Sequence, residues 1–214
     1  LSPDEWVEQY GSDVLRMYLM FMGPFDQWGD WNDRGISGTQ RFAKRSYSLI
    51  EQNGKDGTDS DSMEVMSALH KTIKKVGDDI ESLQFNTALA SMMELLNTLW
   101  AQETISHETL SHYTILLSPF APHLAEELWQ MLANEGLVAS QSWPEYDAAY
   151  LQESTVTIAV QINGKLRGTY QFSNGVTKEE VIETVYDEPN IARWLEWQTI
   201  VKEIFIPGKI LNVV

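Results

Sequence analysis

Leu116-Leu-Ser-Pro-Phe-Ala-Pro-His-Leu-Ala-Glu-Glu-Leu-Trp129 is the stretch whose reading decides the fold. Phe120, Leu124, Leu128 and Leu132 recur every fourth residue, with Leu117 and Ala121 beside them. That spacing draws one apolar stripe along a helix. Glu126, Glu127 and Gln130 fall off the stripe and face water. Pro119 and Pro122 break the preceding helix and set the start of this one. The stretch therefore reads as a core helix closing a helical bundle.

Working outward toward the N-terminus, the same period repeats. Ser2-Pro3-Asp4-Glu5 forms a capping box, and the helix it opens has Trp6, Val7 and Tyr10 on its apolar side. Ser12 or Asp13 caps a second helix that Gly23-Pro24 stops, and Asp13 and Arg16 are spaced as an i,i+3 ion pair. An aromatic and acidic loop, residues 25–36, holds Trp28 and Trp31, which more often pack a loop onto its own domain than stack on a base. Helices follow over roughly 36–50, 62–82, a segment capped by Asn86 and ending at Trp100, and 106–117. Residues 53–61 read as a turn-rich, mobile loop without core residues. Antiparallel helices with short loops form an up-down bundle of four or five members. The methionines at helical spacing read as core fillers.

Toward the C-terminus the period changes. From Thr155, Val156, Ile158, Val160 and Ile162 alternate with polar residues, the mark of a half-buried strand. Asn163-Gly164 signals a hairpin, yet Leu166, Tyr170 and Phe172 are even-numbered like the first strand's apolar set. A two-residue loop would set even opposite odd, so the parity predicts a three-residue loop with Gly164 left-handed. In that register Lys165, Arg167, Thr169 and Gln171 share the outer face. Thr177 caps a helix, a short helical piece covers 191–195, and two strands flank Pro207-Gly208. The fold class expected is mainly α: a helical bundle followed by a small α/β (α+β) domain. The expected segments are 1–35 as a connection, 36–143 as the bundle, 144–154 as a tether and 155–214 as the small domain.

Composition limits the functions available. The 214 residues hold no Cys, so thiolate metal sites and cysteine nucleophiles are excluded, and the four His show no metal-ligand spacing. No apolar run reaches the ~18 residues of a membrane span, and a soluble, cytoplasmic setting is expected. Fifteen basic against thirty-one acidic residues give −16, which argues against indiscriminate nucleic-acid binding. Residues 155–214 hold six of the basic and seven of the acidic groups, so nearly all the excess lies in residues 1–154. RNA contact then depends on local basic clusters. Those are Arg41, Lys44 and Arg45, then Lys71, Lys74 and Lys75, each set on one helix side, and Lys165, Arg167, Lys202 and Lys209 in the small domain.

The phrase at 116–129 resembles the last-helix signature of the anticodon-binding domain of class I aminoacyl-tRNA synthetases, most of all the leucyl members. Gln9–Tyr18, Leu69–Lys75 and Phe85–Ala90 are similar to leucyl phrases as well. Val160-Gln-Ile-Asn-Gly-Lys-Leu-Arg-Gly168 together with Ile206-Pro-Gly-Lys-Ile-Leu-Asn-Val-Val214 resembles the C-terminal domain of bacterial leucyl-tRNA synthetases. The resemblance covers the chain in order, with the 53–61 loop peculiar to it. It implies a C-terminal fragment, an expectation that the opening Leu1 also favours, that engages tRNA(Leu). Catalytic and editing domains of the same parent chain would then be its other partners, in a monomer with no membrane contact. It implies ATP and Mg for the parent, no cofactor and no catalytic residue in these residues. A structural brace or a stand-alone RNA-binding module are the rival classes.

Overall fold

The structure, a computed structural model, describes residues 3–24, 31–32, 35–54, 58, 60–151, 155–195 and 200–214. The chain divides into two compact units, Leu1–Leu151 and Gln152–Val214, each around its own apolar cluster.

The first unit is helical: α1 (Pro3–Tyr10), α2 (Ser12–Phe21), α3 (Ile36–Asn53), α4 (Met63–Glu81), α5 (Phe85–Trp100), α6 (His107–Leu117) and α7 (Pro122–Met131). Phe120, Ala121, Ala125, Leu128, Trp129 and Leu132 are all buried, so the 116–129 stretch sits at the centre of the core. Phe120 lies in the turn before α7 and Leu132 caps its end, so the stripe runs beyond the helix at both ends. α2 is no mere connection. Met17 and Tyr18 are buried in the same core, and the Tyr18 hydroxyl donates to the Asn32 carbonyl (2.7 Å) and accepts from its N–H (2.9 Å). Trp31 sits edge-on to Tyr18 and Trp6, 5.0 Å between centroids in each case. A Cβ at Gly35 would come within 2.8 Å of the Tyr18 ring, so glycine is required there. Trp28 and the capping Ser2 lie outside the described residues.

Two aspartates depart from the expected picture. Asp13 caps α7 instead of α2: its carboxylate accepts from the Leu124 N–H (2.8 Å), contacts His123 Nδ1 (2.9 Å) and pairs with Arg16 (2.6 Å). The physical reason is local. Ala121 at the N-cap has no side-chain acceptor and Pro122 follows it, so the orphan amides of the first turn take a carboxylate from α2. Asp61, at the end of the loop read as lacking core residues, accepts from the Ser106 N–H (2.9 Å), the Thr109 hydroxyl (2.6 Å) and the Ser106 hydroxyl at the start of α6. Asn86 does not cap α5. The helix starts one residue earlier, after a tight turn with Leu83 at φ 58°.

Residues 143–151 are strapped along one side of α4. The Trp143 indole lies over Gly77, and Lys74 sits 5.6 Å from the Tyr146 ring. Asp147 N–H donates to His70 Nδ1 (3.1 Å), the Tyr150 ring stacks on His70 at 4.7 Å, and the Ser67 hydroxyl donates to the Tyr150 carbonyl (2.9 Å). Burial lowers the pKa of His70, against the opposing pull of Asp147 and Glu108; His112 is lowered by burial too. A histidine held below its unfolded value contributes stability above about pH 6.5 that is lost as pH falls through its folded value. We therefore expect the strap to loosen on acidification. Hydrogen exchange at the Asp147 amide, corrected for intrinsic rate, should speed up between pH 7.5 and 5. Equal protection across that range would contradict the assignment.

The second unit has strands β1 (Thr155–Ile162), β2 (Lys165–Ser173), β3 (Glu203–Ile206) and β4 (Ile210–Val213), with α8 (Lys178–Tyr186) and α9 (Pro189–Leu195) between β2 and β3. The sheet order is β2-β1-β4-β3, with β1 parallel to β4 and the other pairs antiparallel. Ile158, Val160, Ile162, Leu211 and Val213 form the buried face, covered by Val181, Val185 and Ile191 of the helices. Thr177 and Glu180 complete a capping box at α8.

The expected three-residue loop is not formed. Ile162 pairs with Lys165 across a two-residue turn, with Asn163 at φ 52° and Gly164 at φ 74°, the sign pattern of a type I′ hairpin. The parity mismatch is absorbed one step later by a bulge: Gln161 faces Leu166, Val160 faces Gly168, and Arg167 is the extra residue. A tertiary tie selects this solution. Gly164 N–H donates to Asn212 Oδ1 (3.1 Å) and Asn163 N–H to the Val213 carbonyl (2.8 Å). As a result Leu166, not Lys165, occupies the outer face, and two rows cross it: Thr169–Ala159–Ile210–Ile206 and Leu166–Gln161–Asn212–Ile204.

Candidate nucleic-acid interface

The sequence-predicted cations fall into three settings. On α3, Arg41, Lys44 and Arg45 are all exposed, and Arg45 donates to Asn97 Oδ1 of α5 (2.8 Å). That contact fixes the arginine without cancelling its charge. The opposite side of α3 is buried through Phe42, Ser46 and Leu49, where the Ser46 and Tyr113 hydroxyls meet at 2.6 Å. Full burial pushes the Tyr113 phenol well above its usual range, so it stays a neutral bonding group.

On α4 the three lysines are not equivalent. Lys74 pairs with Asp78 and Lys75 with Asp79, both at i,i+4, while Lys71 is exposed with no ion-pair partner among the described residues. The bond to Asp78 raises the Lys74 pKa, so it remains cationic. Asp79 is buried and also accepts from the Thr87 hydroxyl (2.7 Å), so the carboxylate that holds Lys75 also ties α4 to α5. An external anion must compete with these carboxylates for Lys74 and Lys75, and Lys71 is the open charge of this cluster.

In the second unit the four predicted residues are dispersed by the bulge. Lys165 stands at the β1–β2 turn, exposed, in register with buried Ile162. Arg167 is turned to the helical layer, its guanidinium 3.6 Å above the Trp194 ring of α9. Its Nε is buried with no hydrogen-bond partner among the described residues. Arg193 lies 5.6 Å from the same ring, a contact that the sequence reading did not foresee. Lys202 precedes β3, where its backbone pairs with Val214 in both directions (3.0 and 2.8 Å), and Lys209 lies in the β3–β4 turn. The structure does not unite Lys165 and Arg167 on one outer face, as the three-residue loop required.

The carboxylates of this unit are sorted. Glu179, Glu180 and Glu183 lie on α8, and Asp187 and Glu188 follow it. Glu203 turns inward, accepting from the Tyr186 hydroxyl (2.6 Å) and pairing with Lys178 (2.9 Å), bonds that hold its pKa down. The two motifs that carry the resemblance, 160–168 and 206–214, meet here: the turn of the first is held by Asn212 and Val213 of the second, and β1 and β4 run side by side.

Comparison with known proteins agrees with this architecture. A family model described as the anticodon-binding domain of tRNA ligase matches residues 63–182. A leucine–tRNA ligase of Chlorobaculum tepidum is 44% identical over 99% of this chain and 27% of its own length. That of Porphyromonas gingivalis is 42% identical over all of this chain and 23% of its own. The chain thus spans about a quarter of the length of the curated relatives it matches. A LeuRS of Agrobacterium radiobacter K84, solved as a ternary complex with tRNA and LeuAMS, superposes with a TM-score of 0.78 and 28% identity, over all of this chain and 30% of that one. The chain belongs to the family of anticodon-binding domains of tRNA ligases.

Proposed function

We propose that this chain is the tRNA-engaging portion of a leucine–tRNA ligase, holding tRNA(Leu) while other domains of the same protein perform ATP-dependent leucylation and editing. The observation that carries this reading is the likeness, along its whole length, to a synthetase solved with tRNA. The chemistry agrees. The residues present include no glycine-rich phosphate cradle and no nucleophile–base pair, and the described residues bring together no group of three or more His, Asp or Glu able to hold a metal. On this reading ATP and magnesium act in the rest of the ligase, and these residues supply position. The reading includes a monomer in the cytoplasm. The anion contacts proposed are Arg41, Lys44, Arg45 and Lys71 in the first unit, with Lys74 and Lys75 weakened by their carboxylates, and Lys165, Lys202 and Lys209 in the second, with Arg167 weakened by its stacking on Trp194.

A chimera tests it. Replacing the matching quarter of the Chlorobaculum tepidum ligase by this chain should leave leucylation of tRNA(Leu) within about tenfold of the parent in kcat/KM. A charge reversal of Arg41, Lys44 and Arg45 together in that chimera should raise KM for tRNA while leaving ATP–pyrophosphate exchange untouched. A soluble, folded chimera that activates leucine yet transfers none would overturn the proposal. Unchanged tRNA KM after the reversal would make the first unit a brace.

A further inference from the structure

We infer that Asn174, in the connection between β2 and α8, is the site at which this chain deamidates, and that the fold shields its two other Asn-Gly pairs. The chemistry starts from the sequence. Asparagine before glycine leaves the next backbone nitrogen open to the side-chain carboxamide, because glycine has no Cβ to block the approach. The chain holds three such pairs, Asn53-Gly54, Asn163-Gly164 and Asn174-Gly175. Once the glycine N–H gives up its proton to base, the nitrogen attacks the asparagine Cγ. The new N–Cγ bond closes a succinimide ring, and the carboxamide nitrogen leaves as ammonia. Water then opens the ring. Attack at Cγ yields aspartate, and attack at the backbone carbonyl yields isoaspartate. The reaction needs only solvent, and its product carries one more negative charge.

The three pairs are held differently. Asn53 is the last residue of α3, and its Nδ2 donates to the Leu49 carbonyl (3.0 Å). The Gly54 N–H donates to the Ile50 carbonyl (2.8 Å). Both reacting groups are pinned by bonds that must break first, so modification there waits for local opening. Asn163 and Gly164 are exposed, and accessibility does not protect them. The turn itself does. Asn163 N–H donates to the Val213 carbonyl (2.8 Å), and the Gly164 N–H, the group that would become the nucleophile, donates to Asn212 Oδ1 (3.1 Å). Losing that proton also costs the bond that closes the turn onto β4. Asn174 and Gly175 are exposed too, but without such ties. Gly175 stands at φ 85°, with no atom beyond its chain neighbours within 4 Å of where a Cβ would lie. Among the described residues neither the Asn174 carboxamide nor the Gly175 N–H makes a hydrogen bond. The carboxamide therefore has room to turn onto the nitrogen, and the nitrogen has no bond to give up.

The test is incubation of the 214-residue chain at pH 8 and 37 °C, folded and in urea, with peptide mapping by mass spectrometry over time. In the folded chain Asn174 should convert at least tenfold faster than Asn53 or Asn163. In urea the three should agree within about threefold, because only local sequence then separates them. Asn212→Ala removes the acceptor for the Gly164 amide and should speed conversion of Asn163 at least fivefold, with Asn174 unchanged. Asn212→Asp retains an acceptor and should keep Asn163 slow. Circular dichroism checks the folding of both variants, and the wild-type ranking decides the matter by itself if Asn212→Ala does not fold. Conversion of Asn53 or Asn163 at the Asn174 rate in the folded chain, or an Asn174 that converts only in urea, overturns the inference. A folded Asn212→Ala that leaves Asn163 slow, or an Asn212→Asp that frees it equally, overturns the shielding of that turn.

Discussion

Phe120→Ala should destabilise the first unit by about 3–5 kcal/mol, the cost of emptying a fully buried aromatic site. Phe120 is completely buried in the turn between α6 and α7, its backbone N–H bonded to the Leu117 carbonyl at 3.0 Å. Both flanking prolines restrict how far the backbone can move to refill the space, so the cavity term stays large. Phe120→Leu retains most of the apolar volume and should cost about 1–2 kcal/mol. Urea titration followed by tryptophan fluorescence measures both. The second unit has a separate core, so its transition should not shift. A Phe120→Ala loss below about 1 kcal/mol would mean that the 116–129 stretch is not the centre of the bundle.

Asp13→Ala should lower stability by about 2–3 kcal/mol, unusual for a polar side chain near a surface. Losing an N-cap acceptor accounts for about 0.5–2 kcal/mol. The rest comes from the buried carboxylate's charge, which faces the positive end of α7 and the Arg16 cation. Arg16 is about a third exposed and can rehydrate, so the ion pair adds little of its own. Asp13→Asn keeps the acceptor for the Leu124 amide and should lose about half as much. An Asp13→Ala loss within about 0.5 kcal/mol would show that water replaces the carboxylate at the cap.

These two residues also mark how far the sequence could be read. Phe120 was legible because a four-residue period survives in the chain itself. Asp13 was legible as a partner of Arg16, but its bond to α7 joins residues 111 apart. The only local sign was a helix start, Ala121-Pro122, with no cap of its own. Asp61 is the same case, a turn residue locally and a cap for α6 in the fold.

The hairpin at Asn163-Gly164 shows the other kind of limit. Alternation alone revealed the parity mismatch, and a longer loop or a bulge both repair it. The choice is made by Asn212, 48 residues away, which accepts from the Gly164 amide. Because the face presented by Arg167 follows from that choice, the proposed grouping of cations on the outer face moved with it. The lysines of α4 were legible as a patch. Their carboxylates at i,i+4 were in the sequence as well, and weighing them would have singled out Lys71.

The central claim is that these residues grip tRNA(Leu) through local cations against an acidic background. Its most direct measurement is the dissociation constant of labelled tRNA(Leu) from the whole chain and from residues 1–151, across salt from 50 to 300 mM. The account predicts binding that weakens steeply with salt and is several-fold poorer without the second unit. Binding that is indifferent to salt, or no binding by either protein at 50 mM, would contradict it.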